Sequence, residues 1–365
     1  MKMSKFIRHV PINRPLGALR ANRIAMPFFC LFAFSPFLFA VPAPPSEIGG
    51  WAYFKEHFIS GDGRVIDHFQ HDMSHSEGQG YGMLLAVKFE DRQQFDKLSK
   101  WTADNLQVRR DALSAWGWGK RPNEEWNVID YNNATDGDVL IAYALIQAGQ
   151  KWQQKAYAKH AADIVRSLRS HMAVKLNDRT FLLSGYYGFS DAKGLVLNPA
   201  YQMLSAYQAF AKIDDPKFWE KIHRDAQFLL EAAAKNAKGL PADWVLAEPG
   251  GSIKIYTDKS SRFSYEAIRV PLYLTWAKLP PPAGVKTVLD YYQKNGRIPV
   301  WFDLTKEDIS GDTASAGFYA VFARAAEQLG DATLAARLKE EAKQRLRNEQ
   351  DDYYSHALYL LASIE

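Results

Sequence analysis

Helical periodicity is the feature of this 365-residue sequence that most restricts its fold. Apolar residues recur at helical spacing, or run almost unbroken, in about twelve stretches. Alternating strand patterns are few and short, as at Phe181 to Ser184, and no strand–helix–strand unit repeats. The sequence therefore predicts an all-α fold and excludes a parallel sheet. The predicted helices are 51–60, 78–90, 91–106, 136–148, 151–171, 196–212, 215–234, 263–278, 283–295, 313–327, 330–347 and 351–363.

The predicted helices are of two kinds. Segments 136–148 and 196–212 are apolar on nearly all sides, whereas 151–171 and 330–347 carry a charged face. A helix that is apolar all round must be buried, and amphipathic helices can cover it. We therefore expect two concentric layers of helices, with a cleft built by the longest loops between them. These loops are 114–135 and 238–262.

The first 43 residues differ from the rest of the chain in charge. They hold six cationic residues and no acid, so the rest of the chain carries −2 of a total of +4. A slightly acidic body argues against a nucleic-acid partner, which needs a basic surface. No linker divides residues 44–365, and we expect them to form one domain, acting as a monomer. The six cationic residues are Lys2, Lys5, Arg8, Arg14, Arg20 and Arg23.

An apolar run from Ala25 to Ala43 follows this basic stretch, and together they predict a cleaved export signal over residues 1–43. Small residues at Ala40 and Ala43 offer cleavage sites, and three prolines disfavour a membrane-spanning helix. A retained single-span anchor is the alternative, because the run is nearly long enough to cross a bilayer. We expect a periplasmic or secreted protein.

The single cysteine, Cys30, lies inside the predicted signal. The mature chain would then hold no thiol, which excludes cysteine catalysis, a Cys-ligated zinc site and a disulfide framework. The chain that remains is long enough to rely on its hydrophobic core. No G-x-S-x-G or P-loop pattern occurs, so serine-hydrolase and nucleotide chemistry lack support.

Three histidines leave a metal-dependent hydrolase as an alternative. His68, His71 and His75 are spaced as a ligand set could be, although histidines in a polar stretch are more often solvated. We expect no metal and no other cofactor.

The first acidic motif is Ser-Glu-Gly-Gln-Gly-Tyr-Gly-Met at residues 76–83. Ser76 and Gln79 fit a capping box, and Glu77 suits the positive end of a helix. The three glycines at 78, 80 and 82 each cost about 1 kcal/mol relative to alanine in a helix. Such a cost indicates that something large approaches the backbone, so we interpret the motif as a candidate functional site.

The second acidic motif is Thr135-Asp136-Gly137-Asp138, at the start of an apolar helix. Thr135 or Asp136 would cap this helix, and one carboxylate is enough for its first turn. A second carboxylate at the mouth of a buried helix is expected to have a perturbed pKa, which is typical of functional sites.

The third acidic motif is Ser264-Tyr-Glu266-Ala-Ile-Arg269. A spacing of three would place Glu266 and Arg269 on one face of a helix, as an ordinary ion pair worth a few tenths of a kcal/mol. The apolar residues around the pair indicate partial burial, which favours a functional role.

Aromatic residues are interleaved with these acids. Most buried aromatic residues belong to a hydrophobic core. The Trp116-Gly-Trp118-Gly segment is loop-like, however, and rings beside carboxylates suit a polysaccharide cleft, because sugar C–H faces stack on rings while hydroxyl groups bond to acids. The interleaved residues are Tyr81, Trp101, Trp116, Trp118, Trp126, Tyr131, Tyr201 and Trp244.

These motifs together resemble the family 8 glycoside hydrolases, an endoglucanase family that includes the periplasmic cellulase of bacterial cellulose synthesis. The segment from Ala134 to Trp152 matches the family signature, and the resemblance covers residues 50–365. It implies an (α/α)6 barrel that hydrolyses β-1,4-glucan with inversion and has a functional link to a cellulose synthase complex. Chitosan, xylan and mixed-linkage glucan stay open as substrates, as does a non-catalytic glycan-binding role.

The resemblance also implies roles for individual residues. Glu77 would be the general acid, Asp136 would hold the sugar at the cleavage subsite, and Arg269 would orient the base. Many members have Asp where this chain has Glu266, which we assign as the base with Asp243 as the alternative. The extra methylene could narrow the gap between carboxyls that admits water, roughly 6.5–9.5 Å in inverting enzymes. The predicted substrate-binding residues are Tyr81, Trp116, Trp118, Asp138, Tyr201, Asp243 and Arg269.

Overall fold

The computed structural model describes residues 46–306 and 308–364. The predicted export signal, residues 1–43, lies outside the described residues. In the described part of the chain, no helix combines the length and the apolar character needed to cross a bilayer. Residues 45–365 belong to one compact unit.

The described residues form twelve α-helices, in agreement with the number predicted from periodicity. They alternate in sequence between an outer and an inner position. The helices are α1 (Trp51–Phe58), α2 (Ser76–Lys88), α3 (Arg92–Asn105), α4 (Thr135–Lys151), α5 (Lys155–Ser167), α6 (Leu204–Phe210), α7 (Pro216–Lys235), α8 (Arg269–Trp276), α9 (Val285–Asn295), α10 (Ala316–Gln328), α11 (Ala332–Leu346) and α12 (Tyr353–Leu361).

The even-numbered helices form a closed inner ring, in which each contacts the next and α12 returns to α2. Helices α4 and α10 are buried on almost every side, which explains why their sequences are apolar all round. The odd-numbered helices pack outside this ring, and α5, α7 and α11 bury one apolar stripe each. The predicted two concentric layers are therefore confirmed, and the fold is an (α/α)6 barrel.

Short antiparallel strands occupy the loops between the helices. They form one three-stranded, one four-stranded and two two-stranded sheets. The strands are β1 (Ser74–His75), β2 (Gly117–Lys120), β3 (Trp126–Asp130), β4 (Ala173–Leu176), β5 (Arg179–Leu182), β6 (Ser190–Asp191), β7 (Gly194–Leu197), β8 (Val245–Ala247), β9 (Ile253–Ile255), β10 (Arg262–Phe263) and β11 (Phe302–Asp303).

Several predicted boundaries were wrong, and the cause lies in long-range contacts. The Trp116-Gly-Trp118-Gly segment was predicted to be a loop, but all of it after Trp116 belongs to β2, which pairs with β1 and β3. The predicted helix 196–212 is interrupted after a short 3-10 turn at Pro199–Tyr201, so that α6 begins only at Leu204. Likewise, the predicted helix 263–278 begins as a non-helical turn, and α8 starts at Arg269.

Candidate active site

The inner helices α2, α4, α8 and α12 begin around one cavity of about 510 Å³. Their first turns contribute acidic and aromatic side chains, and the 3-10 turn before α6 contributes Tyr201. The ends of the inner ring where helices begin therefore converge on a single site. The cavity is lined by Asp67, Phe69, Gln70, His75, Ser76, Glu77, Trp116, Ala134, Asp136, Tyr201, Tyr265, Glu266, Arg269, Asp352, Tyr353 and Tyr354.

Glu77 lies in the first turn of α2, where its carboxylate is 18% exposed and faces the cavity. The predicted capping box is wrong. His75 is the N-cap, and its Nδ1 accepts a hydrogen bond from the Gly78 N–H at 3.0 Å. The Gln79 side chain instead accepts from the Val65 N–H at 2.6 Å. Gln79 thus ties α2 to the preceding loop and leaves Glu77 free for the cavity.

The glycines of α2 and α4 allow these two helices to approach closely. A Cβ at Gly80 would lie 2.5 Å from the Leu140 Cβ, and a Cβ at Gly137 would lie 2.1 Å from the Ser76 Oγ and 2.8 Å from the Glu77 backbone nitrogen. The group predicted to approach the glycines is therefore helix α4 at Gly80, whereas Gly78 and Gly82 are approached by side chains of other elements. This contact places the first turns of α2 and α4, and hence Glu77 and Asp136, side by side.

The two acids of the second motif have different environments. Asp136 faces the cavity, and its Oδ2 lies 2.8 Å from Arg269 Nη1. Asp138 is fully buried and accepts hydrogen bonds from the Ser114 N–H at 2.7 Å and from Asn133 Nδ2 at 3.0 Å. The prediction that Asp138 contacts the substrate is therefore wrong, because successive helical residues of this turn point in different directions.

Thr135 connects the start of α4 to the loop before β7. Ala134 is the N-cap and provides no side-chain bond, so the prediction of Thr135 or Asp136 as the cap is wrong. The Thr135 hydroxyl donates to the Leu183 carbonyl at 2.5 Å, and its N–H donates to the Ser184 carbonyl at 3.0 Å. This tether leaves the Asp136 carboxylate free to meet Arg269.

Arg269 joins three carboxylates at the floor of the cavity. Its guanidinium is 2% exposed. Nη1 binds Asp136 and Glu77, and Nη2 binds Glu266. One buried cation therefore holds three acids that come from three inner-helix termini, far apart in sequence. The pairing of Glu266 with Arg269 was predicted, but it forms from a turn rather than along a helix face.

Glu266 is the most exposed of the three acids, at 35%. Its Oε2 accepts a hydrogen bond from Asn198 Nδ2 at 2.9 Å as well as from Arg269. The sequence analysis missed Asn198, although an Asn directly before Pro199 is a recognisable cap of a turn.

Asp243, the alternative base, does not reach the cavity. It is 3% exposed, and its Oδ1 accepts hydrogen bonds from the backbone N–H groups of Ser264 at 2.9 Å and Ala267 at 3.0 Å. Its Oδ2 accepts from the hydroxyls of Ser260 at 2.9 Å and Ser264 at 2.5 Å. The predictions of Asp243 as base or substrate contact are wrong, because its oxygens are used to fold the turn that carries Glu266.

The predicted aromatic contacts divide into two groups. Trp116 and Tyr201 line the cavity, and the Arg269 guanidinium lies 5.7 Å from the centre of the Tyr201 ring. Tyr81 is fully buried, with its hydroxyl 3.1 Å from that of Tyr273, so the prediction that it touches substrate is wrong. Trp118 stacks on Trp126 at 5.3 Å outside the cavity lining. A contact of Trp118 with a longer chain stays a prediction.

Four aromatic residues of the cavity were not predicted, namely Phe69, Tyr265, Tyr353 and Tyr354. Tyr353 and Tyr354 open α12 as Glu77 and Asp136 open α2 and α4. The first turn of an apolar helix was thus the signal that could have identified Tyr353 and Tyr354.

Burial decides the protonation of the acidic pair. Burial raises the pKa of Glu77; the Arg269 charge opposes this rise and the Glu266 charge adds to it. Burial, followed by the charge of Glu77, raises the pKa of Asp136 well above its ordinary value. The hydrogen bond from Asp136 lowers the pKa of Glu77. The pair as a whole keeps a proton to higher pH than an exposed carboxyl would.

The three histidines of the metal alternative do not converge. His75 Nδ1 caps α2, and His68 Nδ1 lies 2.6 Å from Asp72 Oδ1. Among residues 46–306 and 308–364, no group of three or more His, Cys, Asp or Glu side chains is arranged to hold a metal ion.

Known proteins resemble this chain in sequence and in architecture. The family described as glycosyl hydrolases family 8 matches residues 21–364. A “Probable endoglucanase” of Novacetimonas hansenii is 36% identical over 330 residues, covering 89% of this chain and 92% of its own length. An endoglucanase of Cellulomonas uda is 35% identical over 74% of this chain and 75% of its own.

Solved structures agree with these relatives. The endo-beta-1,4-glucanase CMCax from Acetobacter xylinum superimposes with a TM-score of 0.74 at 34% identity, covering 86% of this chain and 95% of that one. Endoglucanase Cel10 from Klebsiella pneumoniae gives a TM-score of 0.73 at 33% identity, over 86% and 96% of the two chains. Since the family match spans almost the whole sequence and these relatives share both fold and more than 30% identity, the chain belongs to glycosyl hydrolases family 8 and is a glycoside hydrolase.

Proposed function

We propose that this protein is an endo-β-1,4-glucanase that cleaves cellulose or soluble β-1,4-glucan with inversion of the anomeric carbon. The observation that carries the proposal is the arrangement around Arg269. This one guanidinium holds Glu77 through Nη1 and Glu266 through Nη2, in a cavity lined by aromatic rings. An acid candidate and a base candidate thus line one cavity and share one buried cation, and an inverting hydrolase needs two such carboxyls with room for a water between them.

Glu77 is the general acid in this mechanism. It faces the cavity, and it belongs to the acidic pair whose pKa values are raised by burial. A retained proton on this pair can be passed through Glu77 to the leaving glycosidic oxygen. Asp136 lines the cavity beside Glu77, so it holds the sugar and shares the proton while Glu77 delivers it.

Glu266 is the general base. Its greater exposure gives water access to the carboxylate, and Arg269 and Asn198 hold that carboxylate beside the cavity. The base takes a proton from a water as that water attacks the anomeric carbon, on the face opposite Glu77.

The open rim of the cavity supports an internal attack on a long polymer. Phe69 and Tyr265 are 68% and 49% exposed beside the catalytic acids. Exposed rings stack on the C–H faces of sugars, and a neutral glucan needs no basic surface to bind. These features, and the endoglucanase relatives, favour an uncharged β-glucan as the substrate.

The biological setting forms part of the same proposal. The basic and apolar character of residues 1–43 supports export to the periplasm or the medium, with cleavage of this segment. The resemblance to cellulases of cellulose synthesis supports a functional link to a cellulose synthase complex. Residues 44–365 would act as a single catalytic domain and as a monomer.

The test is the release of reducing ends from carboxymethylcellulose, chitosan, xylan and mixed-linkage glucan by the wild type and by Glu77→Gln. We expect the wild type to prefer the β-1,4-glucan, and we expect the variant to lose at least about a hundred-fold of this activity, because the general acid is gone. Its melting temperature should not fall, since the substitution removes a buried carboxyl and keeps the shape.

Proton NMR of fresh products tests the stereochemistry. Inversion requires that the α-anomer appears first from a β-glucan. Initial release of the β-anomer, or more than a few per cent of wild-type activity in Glu77→Gln, would contradict the assigned roles.

A further inference from the structure

Asn198 is a buried amide that contacts the proposed base, Glu266. It is fully buried, and its Nδ2 donates to Glu266 Oε2 at 2.9 Å. Its Oδ1 accepts from the Ala200 N–H at 2.9 Å and so caps the turn that carries Tyr201. One residue therefore contacts the base and shapes the turn beneath a cavity-lining tyrosine.

The two oxygens of Glu266 have unequal surroundings. Oε2 receives two donors, Asn198 Nδ2 and Arg269 Nη2. No hydrogen bond reaches Oε1 from any side chain or backbone group of residues 46–306 and 308–364. Because Oε2 already accepts two hydrogen bonds, Oε1 is the oxygen that can accept a hydrogen bond from water and then take its proton.

We propose that Asn198 is a positioning residue for the base, which fixes Oε2 so that Oε1 is presented to the attacking water. This inference rests on the proposed function, in which Glu266 is that base. The contact matters more for glutamate than for aspartate, because glutamate has one more rotatable bond to hold in place. Asn198 thus offsets the freedom that the longer side chain introduces at position 266.

The backbone of Asn198 is itself held in place by a hydrogen bond. Its N–H donates to Ser184 Oγ at 3.0 Å, and the Ser184 carbonyl also receives the Thr135 N–H next to Asp136. The same short segment therefore anchors the start of α4 and the amide that holds the base. An amide held from two sides can orient a carboxylate with little loss of freedom on binding substrate.

Glu266 lies among titratable groups that come from four inner helices and from the 3-10 turn before α6. The titratable groups that interact with Glu266 are Glu77 of α2, Asp136 of α4, Arg269 of α8, Tyr354 of α12 and Tyr201 of the 3-10 turn.

The test compares Asn198→Ser with Ser184→Ala on carboxymethylcellulose. Serine keeps an oxygen that can cap the 3-10 turn but is too short to reach Glu266. We expect kcat to fall about ten- to a hundred-fold with KM changed less than about two-fold. A loss in kcat without a matching change in KM is the expected result when the carboxylate no longer presents Oε1 to the attacking water.

Ser184→Ala is the matched control. It removes the hydrogen bond to the Asn198 backbone and leaves the Asn198 amide in place, so it should lower the melting temperature while changing kcat less than about two-fold. A kcat unchanged in Asn198→Ser, or lowered equally in both variants, would overturn the proposal.

A double-mutant cycle with Glu266→Asp tests whether Asn198 acts through Glu266. A shorter side chain withdraws the carboxylate from Asn198, so Asn198→Ser should cost much less in the Glu266→Asp background than in the wild type. An equal cost in both backgrounds would show that Asn198 does not act through Glu266. A wild type inactive on every glucan would instead overturn the proposed function itself, and the inference with it.

Discussion

The acid side and the base side of the cavity are held in place by different means. On the acid side, the first turns of α2 and α4 pack backbone against backbone, through Gly80 and Gly137. On the base side, Glu266 lies in a turn before α8, and this turn is held by buried polar side chains, chiefly Asp243 and Asn198.

Because of this difference, the two sides should be damaged by different kinds of substitution. Close helix packing requires glycines without side chains, so an added methyl group pushes the two helices apart. Polar substitutions nearby should matter little. A turn held by buried hydrogen bonds depends on each acceptor, because an unpaired buried donor costs about 1–3 kcal/mol. Steric changes should therefore damage the acid side, and polar deletions should damage the base side.

We expect the largest loss of activity from Asp136→Asn, on the acid side. The loss of activity should be about a hundred-fold or more, because the proposed contact of the Asp136 carboxylate with the sugar is lost. A neutral amide cannot hold the proton that burial and the charge of Glu77 keep on Asp136 in the wild type. The proton available to the pair should then be lost at lower pH.

The measurement for Asp136→Asn is the pH dependence of kcat on carboxymethylcellulose. Activity needs a protonated acid, so it is lost as pH rises through the pKa of that acid, and the high-pH limb should move to lower pH. A high-pH limb that stays in place or moves upward would separate Asp136 from the proton held by Glu77.

Asp243→Ala should have the next largest effect, on the base side. It leaves two backbone N–H groups and two hydroxyls without their acceptor, and we expect a loss of about 3 kcal/mol in the free energy of unfolding. Urea denaturation checks this value. Activity measured where the variant is folded should also fall, because the turn that carries Glu266 is no longer fixed.

Asp243→Asn is the control for this variant and also tests the rejected alternative base. The amide oxygen can still accept from both N–H groups, while the Ser260 and Ser264 hydroxyls can turn to accept from the amide nitrogen. We expect stability and activity close to those of the wild type. Loss of activity with retained stability would restore Asp243 as the base.

Gly137→Ala should have the smallest effect, and a purely steric one. The new methyl group would meet the Ser76 side chain and the Glu77 backbone, at a cost of about 1–3 kcal/mol in the free energy of unfolding. Because Glu77 must shift, kcat should fall as well. Gly61→Ala, where a Cβ would meet nothing within 4 Å, is the matched control and should leave both quantities unchanged.

Much of the acid side could be predicted from sequence. The apolar character of 136–148, the glycines of 76–83 and the acids in the first turns all report on local helix geometry, which the chain encodes over a few residues. The family resemblance added the roles of Glu77 and Asp136. What failed there was fine detail, such as the cap at His75 and the burial of Tyr81 and Asp138.

The base side could be predicted only in part. Glu266 and Arg269 were identified, but the helix expected around them is a turn, since Asp243 accepts the N–H groups of Ser264 and Ala267 from 21 and 24 residues away. Asp243 looked like a catalytic acid for the same reason, because a sequence shows a carboxyl without showing its partners.

The sequence alone determined the number of helices, their two kinds and the acids that begin the inner ones, because periodicity and composition act over a few turns of chain. Only the tertiary structure decided that Arg269 binds three acids at once, that Asn198 contacts the base, and that Asp138, Asp243 and Tyr81 do not face the cavity. The physical reason is that closing the ring of six inner helices brings together residues that are distant in sequence, such as Glu77 and Arg269, which are 192 positions apart. Burial there sets the charge and the partners of each side chain.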